Sequence, residues 1–400
     1  MSTTATTPDV HDTAMSSATT EPFRFYDIRE KYLLFVTTTS EKVEVATRIG
    51  RELPLLKPTP PALHLFDAGT GNGVVLSHVL RDLHRRLPNV PFLVVGKEIS
   101  MEDTRLTMAG LPDRLAEHPD TVVVLTNMFY AEAPRLYPRS PENQAKVQWW
   151  DVPLEGSFAF DYHQQISTLE HILESGWQTT SSKSGNPIYA TPSVLVLYRA
   201  DRAFALHDII PRNAGAPQEL EYDLVLAAQP YRSRTAAEPK VRTVLAPLSR
   251  ALAPNGRLIV VQSTGHDPGM EIVRRIWPDD EPFATPRNLL IQELDRQLND
   301  GDDPTAYSFD DSQALFTYHL HAMPSEVTNR LSTSTALAAW NAAVYVAQIE
   351  DERVTEVMQH GDYLDATKEV VLRHGGLWFQ DESFVVVRID DRSALGNSDG

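Results

Sequence analysis

The chain has 400 residues, 42% hydrophobic and 22% charged, enough for one large globular domain or two. A net charge of −18 repels polyanions and argues against a nucleic-acid substrate, and the absence of cysteine excludes disulfides, thiolate metal sites and a cysteine nucleophile. No apolar run approaches the roughly 20 residues of a membrane span, and no charged and then apolar leader opens the chain, so a cytoplasmic protein with no membrane partner is expected.

Residues 1–21 are Ser-, Thr-, Ala- and Pro-rich without apolar periodicity and read as a disordered tail. Residues 22–61 carry aromatic and aliphatic side chains at helical spacing up to Leu56, then a proline-rich break. Strands and helices then alternate. Strands are expected at Leu63–Asp67, Phe92–Glu98, Thr121–Thr126, Tyr222–Ala228 and Arg257–Gln262. Helices are expected at Val74–Leu87, Glu102–Leu115 and Lys240–Ala253. Continuous apolar strands between helices predict a parallel sheet buried on both faces. The α/β domain thus spans 62–130 and 222–390, and 391–400 is a flexible tail. Residues 131–221 exceed what a plain crossover needs. Their tryptophans, a candidate helix at Phe160–Glu174 and the apolar run Val194–Tyr198 predict an inserted subdomain. Residues 266–306 form a second, mainly helical insertion.

The first strand ends Asp67-Ala-Gly69-Thr70-Gly71-Asn-Gly73 and runs directly into a helix. Glycines admit positive φ and let a ligand lie on bare backbone, and a helix start offers free N–H groups. The spacing is not the dinucleotide G-x-G-x-x-G, which would need a glycine where Val74 stands. It resembles motif I of class I S-adenosylmethionine (SAM)-dependent methyltransferases. The resemblance implies a Rossmann-like, seven-stranded, mostly parallel sheet with helices on both faces and two last strands, near Ala314–His321 and Ser383–Ile389. It implies SAM held by Asp67, Gly69, Thr70, Gly71 and Gly73, with Glu98 on the ribose hydroxyls. It extends to Ser100, to Asn127 at the adenine edge, and to Ala228. No metal-ligating constellation stands out.

Three further stretches resemble histamine N-methyltransferase and its relatives. They are Lys31-Tyr32 followed by Thr39-Ser40-Glu41, the strand Asp223 to Gln229, and the closing Trp378-Phe379-Gln380-Asp381-Glu382. The resemblance implies Glu41, Gln229 and Gln380 at the methyl acceptor, with Tyr32 and Tyr231 lining its pocket and residues 22–61 covering it. A small-molecule acceptor, an amine nitrogen, is the first expectation. A natural-product O-methyltransferase and a non-catalytic SAM-binding protein are the alternatives. Methyl transfer needs alignment and exclusion of water more than it needs a catalytic triad.

Overall fold

The computed structural model describes residues 29–182, 187–299, 305–322 and 331–390. The tails expected at 1–21 and 391–400 lie outside the described residues. Twelve strands are described: β1 (Leu63–Asp67), β2 (Phe92–Lys97), β3 (Thr121–Thr126), β4 (Gln148–Leu154), β5 (Thr179–Ser181), β6 (Pro187–Tyr189), β7 (Ser193–Arg199), β8 (Tyr222–Ala228), β9 (Leu252–Ser263), β10 (Tyr307–Asp310), β11 (Leu315–His319) and β12 (Trp378–Arg388). Ten of them form one sheet in the order β10-β12-β9-β8-β1-β2-β3-β7-β4, with β11 also paired to β12. Strands β3, β2, β1, β8 and β9 run parallel. Strand β12 is antiparallel to β9.

This is the α/β architecture expected, with a wider sheet than seven strands. Alternation along each strand feeds two cores. Leu65, Phe92 and Val94 face the helices Val74–Arg86, Met101–Ala109 and Leu111–Glu117. Phe66, Leu93 and Val95 face the opposite layer, which includes Leu245, Leu290 and Leu294. A third cluster joins Phe35, Met270, Trp340 and Val370, and so packs the helix Arg29–Thr38 against Pro268–Ile276, Thr333–Val346 and Asp362–His374.

Three elements differ from the sequence reading. The helix expected at Glu102–Leu115 is two, Met101–Ala109 and Leu111–Glu117, parted at Gly110. The stretch Val241–Leu245 is a π-turn between two short α-helices, ahead of Pro247, which cannot donate a backbone bond. Strand β9 begins at Leu252 and absorbs Pro254-Asn255-Gly256 as an irregularity, with the register shifting between Tyr222 and Leu224.

The first insertion joins the main sheet. Strand β7 pairs antiparallel to β3, and β4 pairs parallel to β7. Its predicted helix is likewise two, Ala159–Ile166 and Glu170–Gly176. The seam with β3 is polar. The buried Asn127 amide donates to the Gly176 and Thr191 carbonyls, both 2.9 Å away, and its oxygen accepts from Ser193 N–H at 2.9 Å. Replacing Asn127 by Ala strands these groups in the interior. We expect a loss of at least about 2 kcal/mol in urea unfolding, since a buried unsatisfied group costs about 1–3 kcal/mol. A variant as stable as the wild type would contradict this seam.

Candidate functional site

The parallel strands end at one edge of the sheet. Ligands of open α/β sheets bind beyond the carboxyl ends of the strands, where strand order reverses. Here β1 lies between β2 on one side and β8 on the other. A cavity of about 230 Å³ opens at that edge. Its floor is Gly69, Gly71, Glu98, Ile99 and Ser100, and its far wall is Ala228, Gln229 and Ser263. The helix Arg29–Thr38 supplies Tyr32 and the following helix Glu41–Gly50 supplies Glu41 and Lys42. Tyr345, Val346 and Gln348 close another side.

Glu98 organises the floor. Its Oε2 accepts the Gly71 N–H at 2.9 Å, and its Oε1 accepts Ile99 N–H at 2.7 Å and Ser100 N–H at 3.0 Å. Its backbone carbonyl accepts the indole N–H of Trp177 from the insertion at 2.9 Å. Ser100 caps the helix Met101–Ala109 by accepting from Asp103 N–H. Gly71 has φ +51°, and a Cβ there would stand 2.9 Å from the Tyr32 hydroxyl. That hydroxyl accepts Asn72 N–H at 3.1 Å, so Tyr32 seals the turn from above. At Gly69 a Cβ would meet nothing within 4 Å, so this position opens into the cavity.

Several expected cofactor residues support the cavity from behind. Asp67 is buried and accepts Gly69 N–H at 3.2 Å. Burial pushes its carboxyl up to about 7; the Gly69 N–H lowers it, Glu98 adds to the rise, and Lys42 opposes it. Thr70 is buried and receives the Thr107 hydroxyl. Gly73, at φ +76°, starts the helix Val74–Arg86, with the Thr107 backbone 2.8 Å from where its Cβ would be. Asn127 does not line the cavity, because the insertion takes up its amide.

The acceptor set divides as well. Tyr32, Glu41 and Gln229 line the cavity. Glu41 is buried, and its Oε2 stands 3.1 Å from the Lys42 ammonium. Burial would lower the Lys42 pKa, but the Glu41 carboxylate, with Tyr32 and Asp381, raises it above the usual lysine range. Tyr231 faces away. Its hydroxyl donates to Gln262 at 3.1 Å and its ring lies under the Lys240 ammonium, in a small adjoining cavity. Gln380 is absent from the wall too. Its oxygen accepts from Thr264 at 3.2 Å and its N–H donates to Asp267.

The neighbour of Gln380 in β12, Asp381, lies behind the cavity wall and supports two residues that line it, Ser263 and Gln229. Asp381 is fully buried and accepts the Ser263 hydroxyl at 2.9 Å. Gln229 Nε2 donates to Ser263 Oγ at 3.0 Å and lies 3.4 Å from Asp381. Strand alternation gives consecutive residues opposite faces, so a one-residue difference decides which side chain backs Ser263 and Gln229 of the cavity wall. Among the described residues no group of three or more His, Asp or Glu could hold a metal ion.

No family model matches the chain, and no curated protein matches it. Among solved structures it is similar to a protein described as a sarcosine dimethylglycine methyltransferase from Galdieria sulphuraria, at 8% identity over 88% of this chain and 86% of that one, TM-score 0.35. It is similar to phosphoethanolamine N-methyltransferase 2 of Haemonchus contortus in complex with SAM, at 9% identity over 88% of this chain and 53% of that one, TM-score 0.29. A third is the cyclopropane synthase MmaA2 of Mycobacterium tuberculosis, at 10% identity over 85% and 83%, TM-score 0.31. At such TM-scores these likenesses carry no argument about this chain.

Burial pushes the Asp381 carboxyl up to about 8. Glu41 and Asp267 add to the rise, while the Ser263 hydroxyl and Lys42 oppose it. The unfolded value is about 3.9. The folded state therefore binds the extra proton between these values, and the stability it contributes is present below about pH 4 and lost as pH rises through about 8. Asp381→Asn should flatten the fall in urea midpoint between about pH 5 and about pH 8. An unchanged slope would place the carboxyl in a solvated setting.

Proposed function

We propose that this chain is a SAM-dependent methyltransferase acting on a small-molecule acceptor. The observation that carries the reading is Glu98, a buried carboxylate at the end of β2 bound to the glycine turn of β1 and lining the cavity. A carboxylate has about four acceptor positions and three are used by N–H groups, which leaves one on Oε2 for a ribose hydroxyl. Gly69 leaves bare backbone for the methionine portion, and Ile99 offers an apolar surface for the base. Glu41, Glu98, Glu102 and Asp103 line the cavity with only Lys42 and Lys97 as cations, a balance that suits a sulfonium. Bound there, SAM would supply an electrophilic methyl group on a sulfonium.

The chain's own groups would position the acceptor. Ser263 Oγ has one acceptor position filled by Gln229, and its proton is held by Asp381. Its remaining lone pair can accept a hydrogen bond from an acceptor N–H or O–H and so orient the nucleophile, while Asp381, whose carboxyl burial keeps protonated up to about pH 8, fixes the serine in place. Gln229, at φ +51°, holds its amide over this pair. We place an amine nitrogen first, because Glu41 is buried in the cavity wall rather than pointing to solvent. O-methylation is the second reading, and one contact favours it. Lys42 already holds the Glu41 charge, so that carboxylate does not wait for a cationic amine.

Calorimetry with SAM and S-adenosylhomocysteine tests the cofactor. Gly69→Leu should abolish binding while the melting temperature stays near the wild-type value, since a side chain there meets only open space. Glu98→Ala should weaken binding about tenfold to about hundredfold, the equivalent of about 1.5–3 kcal/mol for a charged acceptor. Wild-type affinity in both variants would refute the site. Turnover of SAM with matched amines and phenols would then separate the two acceptor readings, and its absence across both would leave a SAM-binding protein without catalysis.

A further inference from the structure

Lys97 is the last residue of β2 and lines the same cavity one position before Glu98. Strand alternation carries the two side chains to opposite faces, so Lys97 follows Leu93 and Val95 to the side where Tyr130 and Pro230 form a wall. It is 9% exposed. Its ammonium stands 4.6 Å from the centre of the Tyr130 ring, and the Tyr130 hydroxyl donates to the Pro230 carbonyl at 2.7 Å. Among the described residues it makes no ion pair. The other buried lysine of this region is fully served: Lys240 donates to the Ser233 carbonyl and the Thr285 hydroxyl. Lys42 has Glu41.

An ammonium removed from water without a counter-charge is costly. Burial accordingly lowers the Lys97 pKa, against the upward pull of Glu98. The Tyr130 ring offsets part of the cost and cannot replace an anion. The SAM reading assigns no role to this side chain.

We propose that the methyl acceptor carries an anionic group, a carboxylate or a phosphate, which the Lys97 ammonium binds against Tyr130. The inference rests on reading the cavity as the joint site of SAM and its acceptor. It adds that the acceptor is recognised by a charge-assisted bond away from the atom that is methylated. The position of that anion, rather than Glu41, then sets which substrates enter.

The test uses the full chain saturated with S-adenosylhomocysteine and matched probes followed by ligand-observed NMR: benzoate against benzamide, and phenyl phosphate against phenol. The anions should bind and their neutral partners should not. Preference between benzoate and phenyl phosphate tells which anion the site takes. Lys97→Met should weaken anion binding at least about tenfold, while S-adenosylhomocysteine affinity and melting temperature hold. Lys97→Arg should keep the anion preference. Equal binding of neutral and anionic probes, retention of anion binding in Lys97→Met, or no anion binding by a chain that does bind S-adenosylhomocysteine each overturns the proposal. The same probes titrated into the free chain judge Lys97 separately should S-adenosylhomocysteine itself fail to bind.

Discussion

Everything at the open edge of the sheet depends on one carboxylate holding three backbone N–H groups. Glu98 gathers Gly71, Ile99 and Ser100 onto its two oxygens. That ties the turn after β1 to the end of β2 and fixes the cavity floor before any ligand arrives. Two further contacts reinforce it from outside the parallel core. Trp177 of the insertion donates to the Glu98 carbonyl, and Tyr32 of the first described helix accepts from Asn72 in the turn. The insertion and the N-terminal helix, distant in sequence, therefore meet at the same few residues.

The cavity balances charge instead of accumulating it. Burial raises Asp67, Asp103 and Asp381, and Lys42 lies among them, lowering each. A bound cation would share that task with Lys42. Lys97 stands apart from this group, with the Tyr130 ring beside its ammonium, Glu98 as the one charge that raises its pKa, and no ion pair among the described residues. The two lysines give the cavity two chemically different halves, one suited to a sulfonium and one to an anion.

Much of this was legible in the residues alone. Strands β1, β3 and β8 begin and end where their apolar runs do, because each is buried on both faces and needs no alternating pattern. The glycine turn and Glu98 stood out because bare backbone and an acid at a fixed distance are local features. What escaped depends on tertiary partners. The run Val194–Tyr198 is visibly a strand, but nothing in it says that it pairs with β3. Asn127 has the right chemistry for an adenine edge, and the insertion's carbonyls claim it first. Gln380 and Asp381 differ by one step in strand phase, and Tyr231 turns away because the Gln262 side chain receives its hydroxyl. Lys42 and Lys97 gave no signal, since a lysine in sequence is most often a solvated charge.

Backbone amide NMR during titration with S-adenosylhomocysteine tests the central claim most directly. The account predicts saturable shifts that begin at Gly69, Gly71 and Asn72 and include Ile99 and Ser100, the amides gathered around Glu98. Saturable shifts centred elsewhere, or none at these amides while the ligand is in excess, would contradict it.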